Sequence, residues 1–584
     1  MARIAELNQG IKVANMHIDY QQRRFEHVKS ADQEATETAH YPVIVIGAGP
    51  VGLTTAIDLA QQGVSTVLLD DDNTLANGSR AICFAKRTLD IWDRLGCGQR
   101  MVDKGVTWNL GKVFFRNDPV YSFDLLPEAG HRRPAFINLQ QYYVEGFLQE
   151  RAQEYPNLSI RWKNKVVGVT QAADYVELMI ETPGGSYRLR ADYAVAAEGA
   201  RSTMRGLMGL QSKGRTFKDR FLIADVKVKA EFPSERWFWF DPPFHPNQSV
   251  LLHRQPDNIW RIDFQLGWDA DPVVEKSPEK VIPRVKALLG SDVEFALEWV
   301  SVYTFSCLRM DRFRHGRVLF AGDAAHGVSP FGARGANSGV QDADNLAWKL
   351  KFVLDKKAPQ GLLDTYGSER EYAADENILN STRSTDFITP KSAISRIFRD
   401  AVLELSKDYS FARRLVNSGR LSLPSTYVAS QLNTPDNDSF SGAMVPGAPS
   451  VDAPILVDGN ENWFLALLGN EFTGVYFPGD SIRENGAARM LQSLAGEAGV
   501  GRSLAVFSRN VNIPRLPGSL AIVDAEGLLA QRYDARPGTF YLLRPDQHIC
   551  ARWRRLEVAK VRAAMARATC NNEMEHGHER KAQH

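Results

Sequence analysis

The first residues with a spacing suited to chemistry lie in YPVIVIGAGPVGLTTAIDLAQQGVSTVLLDDD, residues 41–72. Gly47 allows a tight turn, Gly49 lets a pyrophosphate approach the backbone, and Gly52 lets a helix and a strand pack closely. The helix N-terminus offers free N–H groups to phosphates, and Asp70 is about where a ribose-binding acid is expected. The pattern predicts a bound dinucleotide without separating FAD from NAD. Its predicted cofactor contacts are Gly47, Gly49, Pro50, Val51, Gly52 and Asp70.

A second segment, GDAAHGVSPFGARGANSG at residues 322–339, holds five glycines in eighteen positions. The apolar run GRVLFA before it predicts a buried strand. The sequence VQDADNLAWKLKFVL after it has the apolar periodicity of a helix. Glycine is used where the backbone takes positive φ or closely approaches a ligand. This glycine-rich strand-to-helix turn therefore predicts a ligand that lies against it.

The chain is too long for all of its helices and strands to pack around one compact core. At 584 residues the chain predicts two or three domains. Its 44% hydrophobic and 24% charged residues are typical of a soluble globular protein, and a net charge of +1 argues against nucleic acid and anionic lipid as partners. We find no signal peptide and no apolar run long enough to cross a bilayer, and the five separated cysteines fit a reducing cytoplasm.

The order of predicted elements gives a domain plan. We expect an α/β protein in which a Rossmann-like nucleotide-binding domain contains an inserted, mostly antiparallel substrate sheet and is followed by a second αβ unit. The predicted boundaries are an N-terminal extension 1–40, a first nucleotide-binding part 41–214, the sheet 215–305, a second part with helices 306–422, a Ser/Pro/Gly/Asn-rich linker 423–450, the C-terminal unit 451–570 and a flexible tail 571–584.

Four stretches, in this order and spacing, resemble class A flavoprotein monooxygenases, the aromatic hydroxylases related to phenol hydroxylase and 3-hydroxyphenylpropionate hydroxylase. They are the dinucleotide unit, QYYVEGFL at 141–148, EGARSTMR at 198–205 and the segment 322–339. The resemblance covers about residues 41–570. It selects FAD as the cofactor, and it identifies the C-terminal unit as thioredoxin-like, although no Cys-x-x-Cys pair is present for disulfide exchange.

The resemblance also implies roles for individual residues. Gln141 would contact the ribityl or phosphate region, Asp323 would accept hydrogen bonds from ribityl hydroxyls, and Arg80 would contact the flavin. The helix starting near residues 336–338 would direct N–H groups at the flavin pyrimidine ring, where reduced flavin carries negative charge. Pro330 would lie near the reacting face. The predicted cofactor contacts in this region are Gly322, Asp323, Pro330, Gly332, Gly335, Ala336 and Asn337.

The implied reaction is hydroxylation of an activated aromatic ring. NADPH or NADH would reduce FAD, O₂ would add to form a flavin C4a-hydroperoxide, and its distal oxygen would pass to the ring in a dry site. No metal is expected. We predict that Arg261 and Tyr303 anchor a carboxylate or polarise a phenol, with His253 a weaker candidate, and the aromatic run RWFWFDPPFH (236–245) could line the pocket or belong to the core.

The same residues also allow other interpretations. Family members usually have Asp where this chain has Glu198, in a stretch that the resemblance links to both flavin and NADPH. Arg201 and Arg205 could meet phosphates or be paired in the fold. His326 is expected to be structural. The alternatives are an FAD-binding protein that does not hydroxylate and a flavin-dependent halogenase or epoxidase. We expect a cytoplasmic homodimer whose partners are a small aromatic substrate and O₂.

Overall fold

The computed structural model describes residues 20–76, 81–228, 233–416, 421–478, 485–509, 516 and 518–571. Its α-helices are α1 (Pro50–Gln61), α2 (Lys86–Arg94), α3 (Gly98–Lys104), α4 (Gln141–Ala152), α5 (Thr203–Leu207), α6 (Pro272–Glu275), α7 (Pro278–Leu289), α8 (Gly335–Leu354), α9 (Asp364–Ile388), α10 (Ala393–Asp408), α11 (Ser410–Val416), α12 (Asn485–Ala498), α13 (Leu528–Arg532) and α14 (Val558–Ala568).

The strands fall into a long N-terminal set and a short C-terminal set. The first set is β1 (Ala39–Ile46), β2 (Thr66–Leu69), β3 (Cys83–Ala85), β4 (Val106–Trp108), β5 (Leu110–Phe115), β6 (Asp118–Asp124), β7 (Phe136–Asn138), β8 (Leu158–Arg161), β9 (Lys165–Gln171), β10 (Val176–Thr182), β11 (Gly185–Ala196), β12 (Ser212–Val228), β13 (Arg236–Phe240), β14 (Ser249–Arg254), β15 (Ile259–Leu266), β16 (Phe295–Met310), β17 (Arg314–His315), β18 (Val318–Phe320) and β19 (His326–Gly327). The second is β20 (Pro454–Val457), β21 (Asn460–Trp463), β22 (Thr473–Tyr476), β23 (Arg502–Ser508), β24 (Leu520–Asp524), β25 (Phe540–Leu543) and β26 (Ile549–Trp553).

The nucleotide-binding unit is built on a mainly parallel sheet of order β17-β18-β11-β1-β2-β8, with the β9–β10 hairpin paired to β11. Strands β18, β11, β1, β2 and β8 run parallel. The inner strands are continuous apolar runs, as expected for strands that helices cover on both faces. Helices α1 and α8 pack against each other at the carboxyl ends of β1 and β18, which brings the two glycine-rich segments together.

The inserted sheet has the order β19-β16-β12-β15-β14-β13-β5-β6 and is antiparallel except for the β13–β5 pair. One face packs on α7 in an apolar core, and the other face meets the nucleotide-binding unit. The sheet runs somewhat beyond the residues 215–305 expected from sequence. It also takes β5 and β6, whose alternating burial marks them as sheet strands although they lie far upstream in the chain.

The C-terminal sheet has the order β21-β20-β24-β23-β22-β25-β26. Strands β22, β23 and β24 are parallel, and β25 and β26 form an antiparallel hairpin beside β22. This βαβ unit followed by a β-hairpin and a final helix is the thioredoxin-like arrangement. The predicted fold class, a Rossmann-like FAD-binding α/β unit with an inserted antiparallel sheet and a C-terminal αβ unit, is confirmed.

The segments between and before these units are held by specific contacts. In the connection 423–450, the Tyr427 hydroxyl accepts a hydrogen bond from Arg370 of α9 at 2.6 Å, and Asp436 pairs with Arg552 of β26 at 2.6 Å. Of the N-terminal extension, residues 20–40 are described, and Asp32 there pairs with Arg161 at 2.6 Å. Within the described ranges, no helix is both long and apolar enough to span a bilayer.

Candidate functional site

The turn from β1 to α1 is a concave backbone surface in which each glycine has a distinct environment. Gly47 has φ of 101°, and a Cβ there would lie 2.7 Å from the carbonyl oxygen of Ala197. A Cβ on Gly52 would lie 1.8 Å from the Gly47 oxygen, so only glycine fits. A Cβ on Gly49 would meet no described atom within 4 Å. The concavity therefore opens beside Gly49, where α1 begins with Pro50 and presents its free N–H groups.

This difference predicts opposite effects for two alanine substitutions. Gly52→Ala should destabilise the protein by about 3 kcal/mol because backbone must move to admit the methyl group. Gly49 has φ of −74°, which alanine adopts freely. Gly49→Ala should therefore fold normally while weakening FAD binding at least tenfold, about 1.4 kcal/mol. Urea unfolding of the FAD-free protein and FAD titration measure the two quantities. Normal FAD affinity in Gly49→Ala would remove the open concavity from the cofactor site.

Asp70 follows β2 and faces the same turn. Its Oδ2 accepts a hydrogen bond from the Ala48 N–H at 2.5 Å, and its Oδ1 accepts one from the Asp72 N–H at 2.8 Å. Burial raises the pKa of the carboxyl to about 6, although these two backbone donors oppose the effect. The carboxylate thus stabilises the turn through two backbone hydrogen bonds. It would accept a hydrogen bond from a ribose hydroxyl in addition to these two.

Side chains of helix α4 bind the backbone at Ala76 and Ala81. The Gln141 side chain accepts a hydrogen bond from the Ala81 N–H at 3.2 Å and donates one to Glu145 at 2.8 Å. Glu145, which is buried, accepts a second from the Ala76 N–H at 2.6 Å. Gln141 therefore fixes backbone near the predicted cofactor. Arg80 lies outside the described residues.

The segment 322–339 packs on the dinucleotide turn through a single side chain. Gly322 has φ of 61°, and a Cβ there would lie 2.9 Å from Cγ2 of Val51. A Cβ on Gly339 would lie 2.6 Å from the same methyl group. The Val51 side chain thus packs between the two glycines and is half-buried, and its contact with the cofactor stays a prediction.

The loop between these two glycines exposes the groups predicted to face the flavin. Asp323 and Pro330 are both exposed. A Cβ on Gly335, the first residue of α8, would lie 3.8 Å from Oδ1 of Asp323, so the carboxylate and the helix N-terminus border one space. Gly332 has φ of 100°, and Ala336 is half-buried in the first turn of α8.

Asn337 is fully occupied within the protein. Its side-chain oxygen accepts hydrogen bonds from the Ala85 N–H at 2.8 Å and the Thr88 hydroxyl at 2.7 Å. Its amide donates to the carbonyls of Cys83 at 2.9 Å and Ala333 at 2.6 Å. The side chain ties β3 to the start of α8, so its predicted flavin contact falls to the backbone N–H.

Asp342 of α8, which was not among the residues predicted from the sequence, anchors this loop. Its Oδ2 accepts a hydrogen bond from the Gly322 N–H at 2.8 Å and lies 2.7 Å from Nε2 of His326, and its Oδ1 accepts one from Arg370 at 2.5 Å. Burial alone would raise the pKa of Asp342, but the charges of His326 and Arg370 hold it below its usual value. His326 is thus structural, stacked on Phe313. The sequence signal that could have identified Asp342 was an aspartate next to the apolar positions of a predicted buried helix.

Glu198, which stands where the resemblance led us to expect Asp, caps α5. Its Oε1 accepts hydrogen bonds from the Ser202 hydroxyl at 2.8 Å and the Met204 N–H at 2.7 Å. Burial raises its pKa, and these donors oppose the rise. Arg205 donates to the carbonyl of Ala324 at 2.9 Å, and so joins this stretch to the 322–339 loop. Arg201 is exposed.

The inserted sheet presents a row of polar side chains to the nucleotide-binding unit. Arg261 is buried and donates two hydrogen bonds to Asp225, at 2.8 and 2.7 Å. Beside it lies His253, whose pKa burial lowers well below the usual value, followed by Arg236. Tyr303, two strands away on β16, is 38% exposed. Arg261 and Tyr303 therefore share one face of the sheet, but Arg261 already has a carboxylate partner.

The aromatic run of β13 divides between the two faces of the sheet. Trp237 and Trp239 pack with Phe114 in the outer core. Phe238 and Phe240 point to the inner face, which also holds Phe331 of the 322–339 loop. The run therefore supplies both core and inner-face residues.

Asp263, on β15 beside Arg261, lies on the same face, and burial raises its pKa to about 6. A carboxyl whose pKa is higher in the folded than in the unfolded chain costs stability once it ionises. That cost is absent below about pH 4 and grows as the pH rises through 6. A pKa difference of about 2 corresponds to about 3 kcal/mol. Asp263→Asn should thus exceed the parent in unfolding free energy by about 3 kcal/mol at pH 8 and by about 1 kcal/mol at pH 4.5.

The measurement is urea unfolding of the FAD-free proteins at the two pH values. Asp292→Asn, at an exposed position on the same unit, is the control and should change neither value by more than about 0.5 kcal/mol. An Asp263→Asn advantage that did not depend on pH would mean that the carboxyl titrates normally in the fold.

Comparisons with known proteins identify the family of this chain. Residues 40–381 match the family model described as "FAD binding domain". The chain is 27% identical to a 4-methyl-5-nitrocatechol 5-monooxygenase of a Burkholderia species, over 89% of this chain and 95% of the relative. It is also 27% identical to a 3-(3-hydroxy-phenyl)propionate/3-hydroxycinnamic acid hydroxylase of Mycolicibacterium gilvum, over 88% of this chain and 90% of the relative.

A solved structure shares the whole architecture. The flavin-dependent monooxygenase PieE, in complex with FAD and substrate, superposes with a TM-score of 0.76 at 22% identity, over 91% of this chain and 99% of PieE. The likeness extends beyond the FAD-binding unit, through the inserted sheet, to the C-terminal unit.

Proposed function

Because the chain belongs to the FAD-binding-domain family of flavoprotein monooxygenases, we propose that it binds FAD and uses NAD(P)H and O₂ to hydroxylate a phenolic ring. The balanced reaction converts ArH, NAD(P)H, H⁺ and O₂ to ArOH, NAD(P)⁺ and H₂O. Its relatives named as aromatic monooxygenases span nearly the whole chain, which supports this function for the complete architecture.

The described residues fit FAD. The open concavity at Gly49 and the N-terminus of α1 suit a pyrophosphate, and Asp70 suits a ribose. Asp323 and the N-terminus of α8 border one space that suits the ribityl chain and the pyrimidine end of the flavin. When bound, FAD supplies hydride acceptance and oxygen activation. The chain's own residues hold it, direct the positive end of the α8 dipole at its electron-rich edge and keep water out.

The aromatic substrate is proposed to lie between the 322–339 loop and the inner face of the inserted sheet. Phe331 of the loop packs edge-on against Phe221 and Phe305 of that face, with ring centroids 4.9 and 5.5 Å apart. This contact closes one end of the space with apolar rings. Pro330, which precedes it and has no N–H, borders the proposed reacting position, and Arg261 and Tyr303 remain predicted substrate contacts.

The observation that supports the proposal is the packing of the Val51 side chain between Gly322 and Gly339, which brings the two glycine-rich segments together. The test is NADPH and NADH oxidation by the FAD-loaded protein across a panel of phenols, with hydrogen peroxide measured beside it. A substrate stimulates oxidation without matching peroxide release and yields a hydroxylated product. FAD binding without stimulation by any phenol would instead favour a protein that does not hydroxylate.

We also propose that the chain forms a homodimer, with the contact on α10. Ile394, Ile397 and Phe398 on one face of that helix are 80, 69 and 57% exposed. Apolar side chains this exposed and this close together are typical of a protein contact. Light scattering of the FAD-loaded protein tests the proposal, because a mass near 65 kDa would identify a monomer.

A further inference from the structure

The inner face of the inserted sheet contains a guanidinium that the fold does not neutralise. The register Asp225–Arg261–His253 runs across β12, β15 and β14, and Arg236 of β13 follows His253 in the same row. Arg236 points inward because its neighbour Trp237 packs in the outer core. Cys83 of β3 approaches this row, with its sulfur 3.9 Å from Nδ1 of His253.

The two arginines of the row differ in their partners. The Arg261 guanidinium is paired with Asp225 through two hydrogen bonds. The Arg236 guanidinium makes no hydrogen bond or ion pair in the part of the chain that is described, and its buried Nη1 has no partner. Glu235, the adjacent acid, is engaged by Lys112 at 2.8 Å and by Trp237 at 2.7 Å. Arg236 as a whole is half-buried, but a guanidinium nitrogen removed from water without a partner costs free energy, so the arrangement points to a negatively charged ligand.

A hydrogen-bond acceptor without a donor lies on the same face of the sheet. Oδ1 of Asp263 is buried without a partner among the described residues, and its Oδ2 lies 3.8 Å from Nε2 of His253. The Asp263 charge partly offsets the lowering of the Arg236 pKa by burial, yet the two side chains do not form an ion pair. Both side chains are half-buried, so part of each is accessible to a ligand that carries an anionic group and a hydroxyl.

We propose that Arg236 binds a carboxylate on the aromatic substrate and that Asp263 accepts the hydrogen bond of its ring hydroxyl, which makes the substrate class hydroxylated aromatic acids. This rests on the proposed function and on the same site. Arg236 is the anchor and Asp263 orients the ring. The hydrogen bond to a carboxylate also increases electron density on the ring, at the positions ortho and para to the hydroxyl.

The experiment compares acids with their uncharged primary amides on the FAD-loaded enzyme. The probes are 3-hydroxybenzoate, 3-(3-hydroxyphenyl)propionate and 3-hydroxy-2-naphthoate, each paired with its amide, and Kd is read from the flavin absorbance. At least one acid should bind about 10- to 100-fold more tightly than its amide. In Arg236→Gln this preference should fall to within about threefold. In the matched control Arg254→Gln, on the opposite face of the sheet, it should be retained.

Stability separates a binding role from a structural one. Because Arg236 is unpaired, Arg236→Gln should leave the Tm of the FAD-loaded enzyme unchanged or raised, whereas an arginine needed for packing would lower it. For Asp263, replacing the ring hydroxyl by a methoxy group should weaken binding to the parent about tenfold and to Asp263→Asn by less than threefold.

The outcomes distinguish this inference from the proposed function. If no acid is preferred over its amide, or if Arg236→Gln keeps the preference, the inference is overturned. The proposed function would then still stand provided that some phenol stimulates NAD(P)H oxidation. If no aromatic compound stimulates oxidation, the proposed function fails.

Discussion

Asp342→Asn is expected to give a largely colourless protein with a free energy of unfolding about 3 to 5 kcal/mol below that of the parent. The parent carboxylate accepts hydrogen bonds on both oxygens, from Gly322 and His326 on one and from Arg370 on the other. An amide has only one acceptor, so its NH₂ group must face a donor. The buried Arg370 charge also loses its counter-ion, and the turn that carries Asp323 loses its anchor.

FAD content after purification and urea unfolding measure the two effects. Asp355→Asn, at the exposed end of the same helix, removes an ion pair with Lys351 and should change stability by less than about 1 kcal/mol and leave the protein yellow. A yellow Asp342→Asn protein of normal stability would show that the loop holds its shape without this carboxylate.

The sequence predicted the parts of the site that depend on backbone. Gly47, Gly52 and Gly322 take positions that a Cβ would block, and glycines at such positions are visible in the sequence. The inserted antiparallel sheet was also predictable, because its strands are separated by turn residues. Strands β5 and β6 were not assigned to it, since pairing between β13 and β5 joins segments more than 100 residues apart.

The sequence could not predict which charged side chains pair with each other. Arg261 and Arg236 both lie in strands of the same sheet, and nothing local distinguishes them. Only the register that sets Asp225 opposite Arg261 shows that one guanidinium is neutralised and the other is not. The same limit applies to Asp342, whose three partners come from separate segments.

A second group of buried charges joins the C-terminal unit to α8, the helix that follows the 322–339 loop. Glu369 of α9 accepts hydrogen bonds from Lys349 of α8 at 2.8 Å and from Arg544, between β25 and β26, at 2.6 Å. Asp546 pairs with the other side of Arg544 at 2.5 Å. Burial would raise the pKa of Glu369, but Arg544 and Lys349 hold it well below its usual value. The C-terminal unit has no Cys-x-x-Cys pair. Through this network, its residues Arg544 and Asp546 are linked to α8 and α9, which indicates a structural role for the unit.

Glu369→Gln should therefore lower the free energy of unfolding by about 3 to 5 kcal/mol, because two buried cations, Lys349 and Arg544, then share the single carboxylate of Asp546. Loss of this tie should also speed proteolysis in the connection 423–450 and weaken FAD binding, since α8 is no longer held from behind. Urea unfolding, limited trypsinolysis and FAD titration measure these effects. Glu376→Gln, at an exposed position on the same helix, is the matched control and should resemble the parent. If Glu369→Gln lost stability but kept normal FAD affinity, the C-terminal unit would stabilise the chain without supporting the cofactor site.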